Sequence, residues 1–207
     1  MPFLSPRSRA ACAALSFACA SAPVQASPSW APWNWRVLDP ATWDTRCGGD
    51  RFVQARLAGP LHNFGDEGNQ VSLALGACAA TRGPLSLQFD AVLSGIDAFP
   101  HAGVGGGRAL GVGVDGVLRW RLFDERRWFV EAGGGLQYAI GSSFPADGTH
   151  FQFTAIGGVG RTFELGAQRS LQVGVRWFHI SNANLLPSNS GYDALQLVIG
   201  YSLDGRR

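Results

Sequence analysis

The sequence predicts an all-β protein, an eight-stranded antiparallel transmembrane β-barrel, and three observations carry that reading. Beyond Asp50, apolar and polar residues alternate with period two in stretch after stretch, the pattern of strands with two different faces. One face is almost wholly apolar or aromatic, while the other interleaves Arg56, Asp90, Asp115, Arg119, Glu131 and Arg176 with many glycines. Charges of both signs and small residues suit the narrow lumen of a small closed barrel. A greasy outer face suits lipid, and closure removes the edges that lipid would not tolerate. Finally, short and long connections alternate along the chain, as periplasmic turns and extracellular loops do in outer-membrane barrels. Alternation alone would also fit a periplasmic lipocalin-like barrel or a sandwich. The apolar outer face favours the membrane barrel.

The composition agrees: 28 Gly, 13 Phe and 7 Trp with only 15% charged residues suit a sheet protein with a large apolar surface. All 17 basic residues are Arg, and the formal charge of +2 falls to about zero without Arg7 and Arg9. No global basic field recruits nucleic acid.

At the N-terminus, Arg7 and Arg9 precede an Ala-rich apolar run over 10–22, and Val24, Gln25 and Ala26 form a small-residue cleavage site. Residues 1–26 therefore read as a signal peptide, too short in its apolar core to span a bilayer. Residues 27–50 hold Trp30, Trp33, Trp35 and Trp43 among prolines with no sustained period, an irregular segment suited to a membrane interface or to capping a barrel end. Residues 51–207 form the barrel. Its strands are expected at 52–58, 71–78, 85–93, 110–122, 128–140 and 151–159, with two more in 171–203. Short turns fall at 79–84, 123–127 and 164–169, and longer loops at 59–70, 94–107, 141–149 and 182–191. Trp120 and Trp128 flank a short turn, in place for a periplasmic aromatic girdle.

Cys12 and Cys19 leave with the signal peptide, so Cys47 and Cys78 remain. An exported chain with an even number of cysteines is a disulfide candidate, here at the periplasmic rim; two separate buried thiols are the alternative.

The last strand pair holds the candidate chemistry. Leu171, Val173, Val175 and Trp177 share one face, and the same parity carries on to His179 and Ser181. After the loop, Leu195, Leu197, Ile199, Tyr201 and Leu203 form the apolar face of the eighth strand, with Asp193 in phase. A hydroxyl, an imidazole and a carboxylate thus meet on a lipid-facing surface at the extracellular end. A Ser hydroxyl needs a base to take its proton, and an acid holds that base in the right tautomer. Polar residues are also common at strand ends, so a purely structural role is the alternative.

The run Arg176, Trp177, Phe178, His179, Ile180, Ser181, Asn182, Ala183, followed by Asn189, Gly191 and Asp193, resembles the signature of the lipid A 3-O-deacylases, the PagL family. Trp128, Phe129, Val130, Glu131 and His150, Phe151, Gln152, Phe153 are similar to that family too, so the resemblance extends from about Arg108 to the end. It implies a barrel with a Ser, His and acid triad on its outer surface that releases the acyl chain at the 3 position of lipid A. Ser181 would be the nucleophile, His179 the general base and acid, Asp193 the orienting carboxylate, and Asn182 an oxyanion donor. The implied partners are lipid A or lipopolysaccharide and the outer membrane, with the site at the outer leaflet and no cofactor. The chain departs from the family pattern in three places: Asp193 stands where Glu is usual, Asn184 where Gly is usual, and Pro187 is displaced from Asn189. The shorter Asp193 must be brought closer to His179 by the backbone, or it reaches His179 less well.

Other features are weaker. His62, His101 and His150 have no metal-ligand spacing, so no metal is expected. The glycines of 103–107 lack the Lys-Ser/Thr ending of a phosphate loop and read as an external loop. Arg108 could meet a lipid A phosphate or be a solvated rim charge. A catalytically silent barrel that binds lipopolysaccharide or stiffens the membrane, and a transferase that passes the acyl chain to another lipid, are the competing functions. Monomer and homodimer are both open.

Overall fold

The computed structural model describes residues 39–45, 50–61, 68–99, 105–122, 127–146, 148–166, 169–187 and 191–203. All lie in one compact unit, Arg36–Arg207. The expected signal peptide, Trp30, Trp33, Trp35, Cys47, His62, His101 and Asn189 lie outside the described residues.

Eight strands follow one another around a closed antiparallel barrel: β1 Arg51–Pro60, β2 Gly68–Arg82, β3 Leu85–Ala98, β4 Gly107–Leu122, β5 Trp128–Gly141, β6 Phe151–Glu164, β7 Ser170–Ser181 and β8 Tyr192–Ser202. β1 closes the barrel on β8, in register from Phe52 opposite Ser202 to Pro60 opposite Ala194. No edge is left unpaired, which is what makes such a sheet compatible with hydrocarbon.

Alternation fixes what faces each side. Leu57, Leu73, Leu75, Val114, Ile140 and Leu195 point outward and are among the most exposed large apolar residues. In water that surface would be costly, but in lipid it is solvated. The polar face is buried in the lumen, where Arg56 pairs with Asp90 and with Asp115 (2.9 Å). Arg119 (2.9 Å) and Arg176 both pair with Glu131. Charges removed from water in this way are tolerable only when paired and hydrogen-bonded. Two lumen glycines make room for aromatic rings: a Cβ on Gly76 would collide with the Phe52 ring, and one on Gly160 with the Phe129 ring. The Arg119 guanidinium lies 4.0 Å above the centroid of Phe129.

The strands run further than the alternating apolar cores alone predict. β3 continues through Ser94, Gly95 and Asp97 to Ala98, because Ser94 and Ile96 keep facing inward and are buried. β2 continues past Cys78 to Arg82 through an irregularity between Cys78 and Ala80, so its turn shrinks to Gly83 and Pro84. Gly83 takes the left-handed backbone (φ 57°) that this tight reversal needs.

Two further features depart from a simple barrel. The described part of the Trp-rich segment is ordered: Pro40–Thr42 makes one 3-10 turn, and Asp44 bridges Thr81 at the extended end of β2 (2.8 and 2.9 Å). At the opposite end the lumen is apolar rather than charged. The loop after β5 folds inward and sets Phe144 edge-on against Tyr192 (centroids 4.7 Å apart), over Ile96, Phe178 and Ile180. Tyr192 donates its hydroxyl to Gly68 O (2.9 Å), which satisfies its polar end.

Candidate active site

The long-loop end of the β7–β8 pair brings two of the expected residues into direct contact. His179 and Asp193 are cross-strand partners. Their side chains meet on the outer wall, with 3.1 Å between His179 Nδ1 and Asp193 Oδ1. The two side chains keep only 29% and 18% of their exposure, so both are half-buried in the wall. An ionised carboxylate can only accept, so the shared proton sits on Nδ1 and Nε2 is left as the basic nitrogen. Direct cross-strand pairing is what lets an Asp, one methylene shorter than Glu, reach the imidazole.

Ser181 is the last residue of β7, on the same outward parity as His179, and its cross-strand neighbour is Phe153 of β6. Among the described residues, no hydrogen bond joins the Ser181 hydroxyl to the imidazole. Such bonds often close only with substrate in place. Phe153 packs edge-on against Phe151 (5.5 Å), so an aromatic surface borders the serine on one side. Val175 and Leu195 extend the apolar wall below.

Asn182 lies just past the strand with its side chain buried (3% exposed). Its Oδ1 accepts from the backbone N–H of Asn184 at 2.9 Å, and Leu185 N–H bonds back to Asn182 O at 3.1 Å. Ala183 (φ 53°) and Asn184 (φ 60°) both take left-handed backbone in this turn. Asn at 184 tolerates that conformation, as Gly would. The turn presents Leu185 and Leu186 outward, both exposed.

Two residues of the site were not evident from alternation. Trp177 counts as one more apolar wall residue, yet its indole Nε1–H donates to Asp193 Oδ1 at 2.7 Å and its ring stacks on His179 (centroids 5.7 Å, 17° between planes). The signal was its parity, two residues before His179 and diagonal to Asp193. Gly191 lies against the imidazole: a Cβ there would come within 3.2 Å of His179 Cε1.

The remaining candidates separate from this cluster. His150 places Nδ1 2.8 Å from Ala139 O and stacks on Tyr138, and Arg108 faces Asp97 at 3.9 Å on an exposed rim. Among the described residues no three His, Cys, Asp or Glu side chains converge as a metal site. Cys78 is buried in β2, its N–H bonded to Asp50 O (3.1 Å), while Cys47 lies outside the described residues. A small cavity inside the barrel, lined by polar residues such as Arg56, Gln70 and Asp115 and by apolar ones such as Val92, Leu136 and Phe178, is on the other side of the wall from His179.

Comparison with known proteins gives two matches. The model of the family "Lipid A 3-O-deacylase (PagL)" matches residues 79–202, a span that holds Trp177, His179, Ser181, Asn182 and Asp193. Among solved structures, the crystal structure of the outer membrane enzyme PagL shares the fold at a TM-score of 0.52 and 23% identity, covering 72% of this chain and 97% of that one. No curated protein matches.

Proposed function

Because the chain belongs to the lipid A 3-O-deacylase (PagL) family, we propose that it is an outer-membrane hydrolase that removes the ester-linked 3-hydroxyacyl chain from the 3 position of lipid A. The observation that carries this reading is the His179–Asp193 hydrogen bond on the apolar outer wall, with Ser181 next on the same face. A substrate dissolved in a membrane needs its catalyst on the surface that touches the membrane, not in the lumen.

In the proposed reaction, Ser181 Oγ attacks the ester carbonyl while His179 Nε2 takes the hydroxyl proton. Asp193 stabilises the imidazolium that forms. Asn182 donates to the oxyanion, through an amide whose position the 182–185 turn fixes. Collapse breaks the ester bond, and the sugar oxygen leaves with the proton from His179. Water, deprotonated by His179, then attacks the acyl-enzyme, releasing a 3-hydroxy fatty acid and restoring Ser181. The acyl chain lies along Phe153 and the neighbouring wall, and Leu185 and Leu186 anchor the loop in the outer leaflet. The alternation of short turns and long loops supports that orientation.

A serine-directed acylating probe tests the reading. Ser181 should be labelled in the wild type, and His179→Ala should slow labelling by orders of magnitude. Equal labelling in both would mean that Ser181 is not activated, and would favour a silent barrel that binds lipopolysaccharide.

A further inference from the structure

We infer that Trp177 is a positioning residue, one that holds the Asp193 carboxylate where His179 needs it; the inference rests on the catalytic reading above. Asp193 Oδ1 accepts two hydrogen bonds, from His179 Nδ1 (3.1 Å) and from Trp177 Nε1 (2.7 Å). The indole bond is the shorter one. A carboxylate on a lipid-facing wall has little water to solvate it, so an unshared charge there would be costly and free to rotate away. The indole N–H lowers that cost, and its bond limits the carboxylate to one rotamer. The same ring stacks on the imidazole at 5.7 Å, so Trp177 restricts both members of the pair at once. An Asp has only two side-chain torsions, one fewer than Glu, with which to bring its carboxyl onto the imidazole. A second donor therefore matters more for Asp than it would for Glu.

The test compares Trp177→Phe, which keeps a stacking ring and removes only the donor, with the wild type and Ser181→Ala on lipid A in mixed micelles. Loss of a hydrogen bond to a charged group predicts about a 10- to 100-fold lower kcat with KM nearly unchanged. Adding Asp193→Glu to Trp177→Phe should recover part of that loss. In the wild type the Trp177 indole N–H resonance should also move on Asp193→Ala. Unchanged kcat in Trp177→Phe while Ser181→Ala is inactive overturns the positioning role alone. A wild type no more active than Ser181→Ala overturns the catalytic reading and this inference with it.

A different observation carries a second inference. Near the short-turn end of β6, Arg161 faces outward from a wall that is otherwise apolar there, paired across the sheet with Trp128 and Val173. Its guanidinium lies 5.4 Å from the Trp128 ring centroid and 5.1 Å from that of Phe163. Among the described residues no carboxylate pairs with it, and its Nε is buried without a hydrogen-bond partner. Among the described residues, this cation held between two rings is left without an anion, and the anion of a membrane boundary is a phosphodiester. The geometry points to a headgroup site for an anionic glycerophospholipid, at the end of the barrel opposite His179.

Native mass spectrometry of the detergent-solubilised barrel with added phosphatidylglycerol tests this. The wild type should retain the lipid at collision energies that strip it from Arg161→Gln, and Arg108→Gln should behave as wild type. Equal retention by Arg161→Gln, or preferential retention of lipid A at this residue, overturns it.

Discussion

Asp193 sits one residue inside β8, and its place in the ladder decides whether a short carboxylate can serve His179. Direct pairing brings the two within hydrogen-bond reach without any loop having to adapt. Gly191 is the complementary element on the other side of the imidazole. A methyl group 3.2 Å from Cε1 is tighter than ordinary contact, so Gly191→Ala should rotate the ring away from its aligned position. The expected outcome is roughly a tenfold fall in deacylation with an unchanged thermal midpoint, since the loop carries little of the stability. Deacylation kinetics beside a heat-modifiability gel would show it, and full activity would mean that the ring has more freedom than this packing implies.

At the scale of elements, the strands were legible because lipid outside and charge inside give every strand the same two-residue period. The parity of His179, Ser181 and Asp193 could be read from the same period. Strand ends were less legible, since Ser94, Gly95 and Asp97 look like loop residues although the ladder continues through them. The role of Trp177 was hidden for a related reason: a period-two reading registers the indole as apolar and is blind to its N–H. Phe144 was invisible as a lumen residue because no periodicity governs a loop that folds inward. The segment before β1 is held by the same ladder logic, with Asp44 on Thr81 and Asp50 O on the N–H of Cys78. We keep the Cys47–Cys78 disulfide as a proposal from the sequence: Cys47 lies outside the described residues, and the Cys78 Sγ itself donates to Ala80 O at 3.7 Å. Alkylation of denatured, unreduced protein should then label neither cysteine, whereas labelling of both would rule the bond out.

Across the whole molecule, the lumen charges set how firmly the wall is held beneath the site. Glu131 serves both Arg119 and Arg176, and Arg176 lies in β7 three residues before His179. Glu131→Gln would leave two buried guanidinium groups without their counter-charge. Breaking a buried pair in this way costs about 3–5 kcal/mol. Urea unfolding of the refolded barrel should register that loss, and an unchanged midpoint would mean that water enters the lumen freely enough to solvate both arginines. On the proposed reading the lumen supplies rigidity, the outer wall the chemistry, and the membrane delivers the substrate to the wall. The measurement that tests this account most directly is mass spectrometry of lipid A from cells producing the wild-type chain or Ser181→Ala, with both barrels shown to be folded in the outer membrane. The account predicts loss of one 3-hydroxyacyl chain from the 3 position with the wild type only. Identical lipid A in the two strains would contradict it.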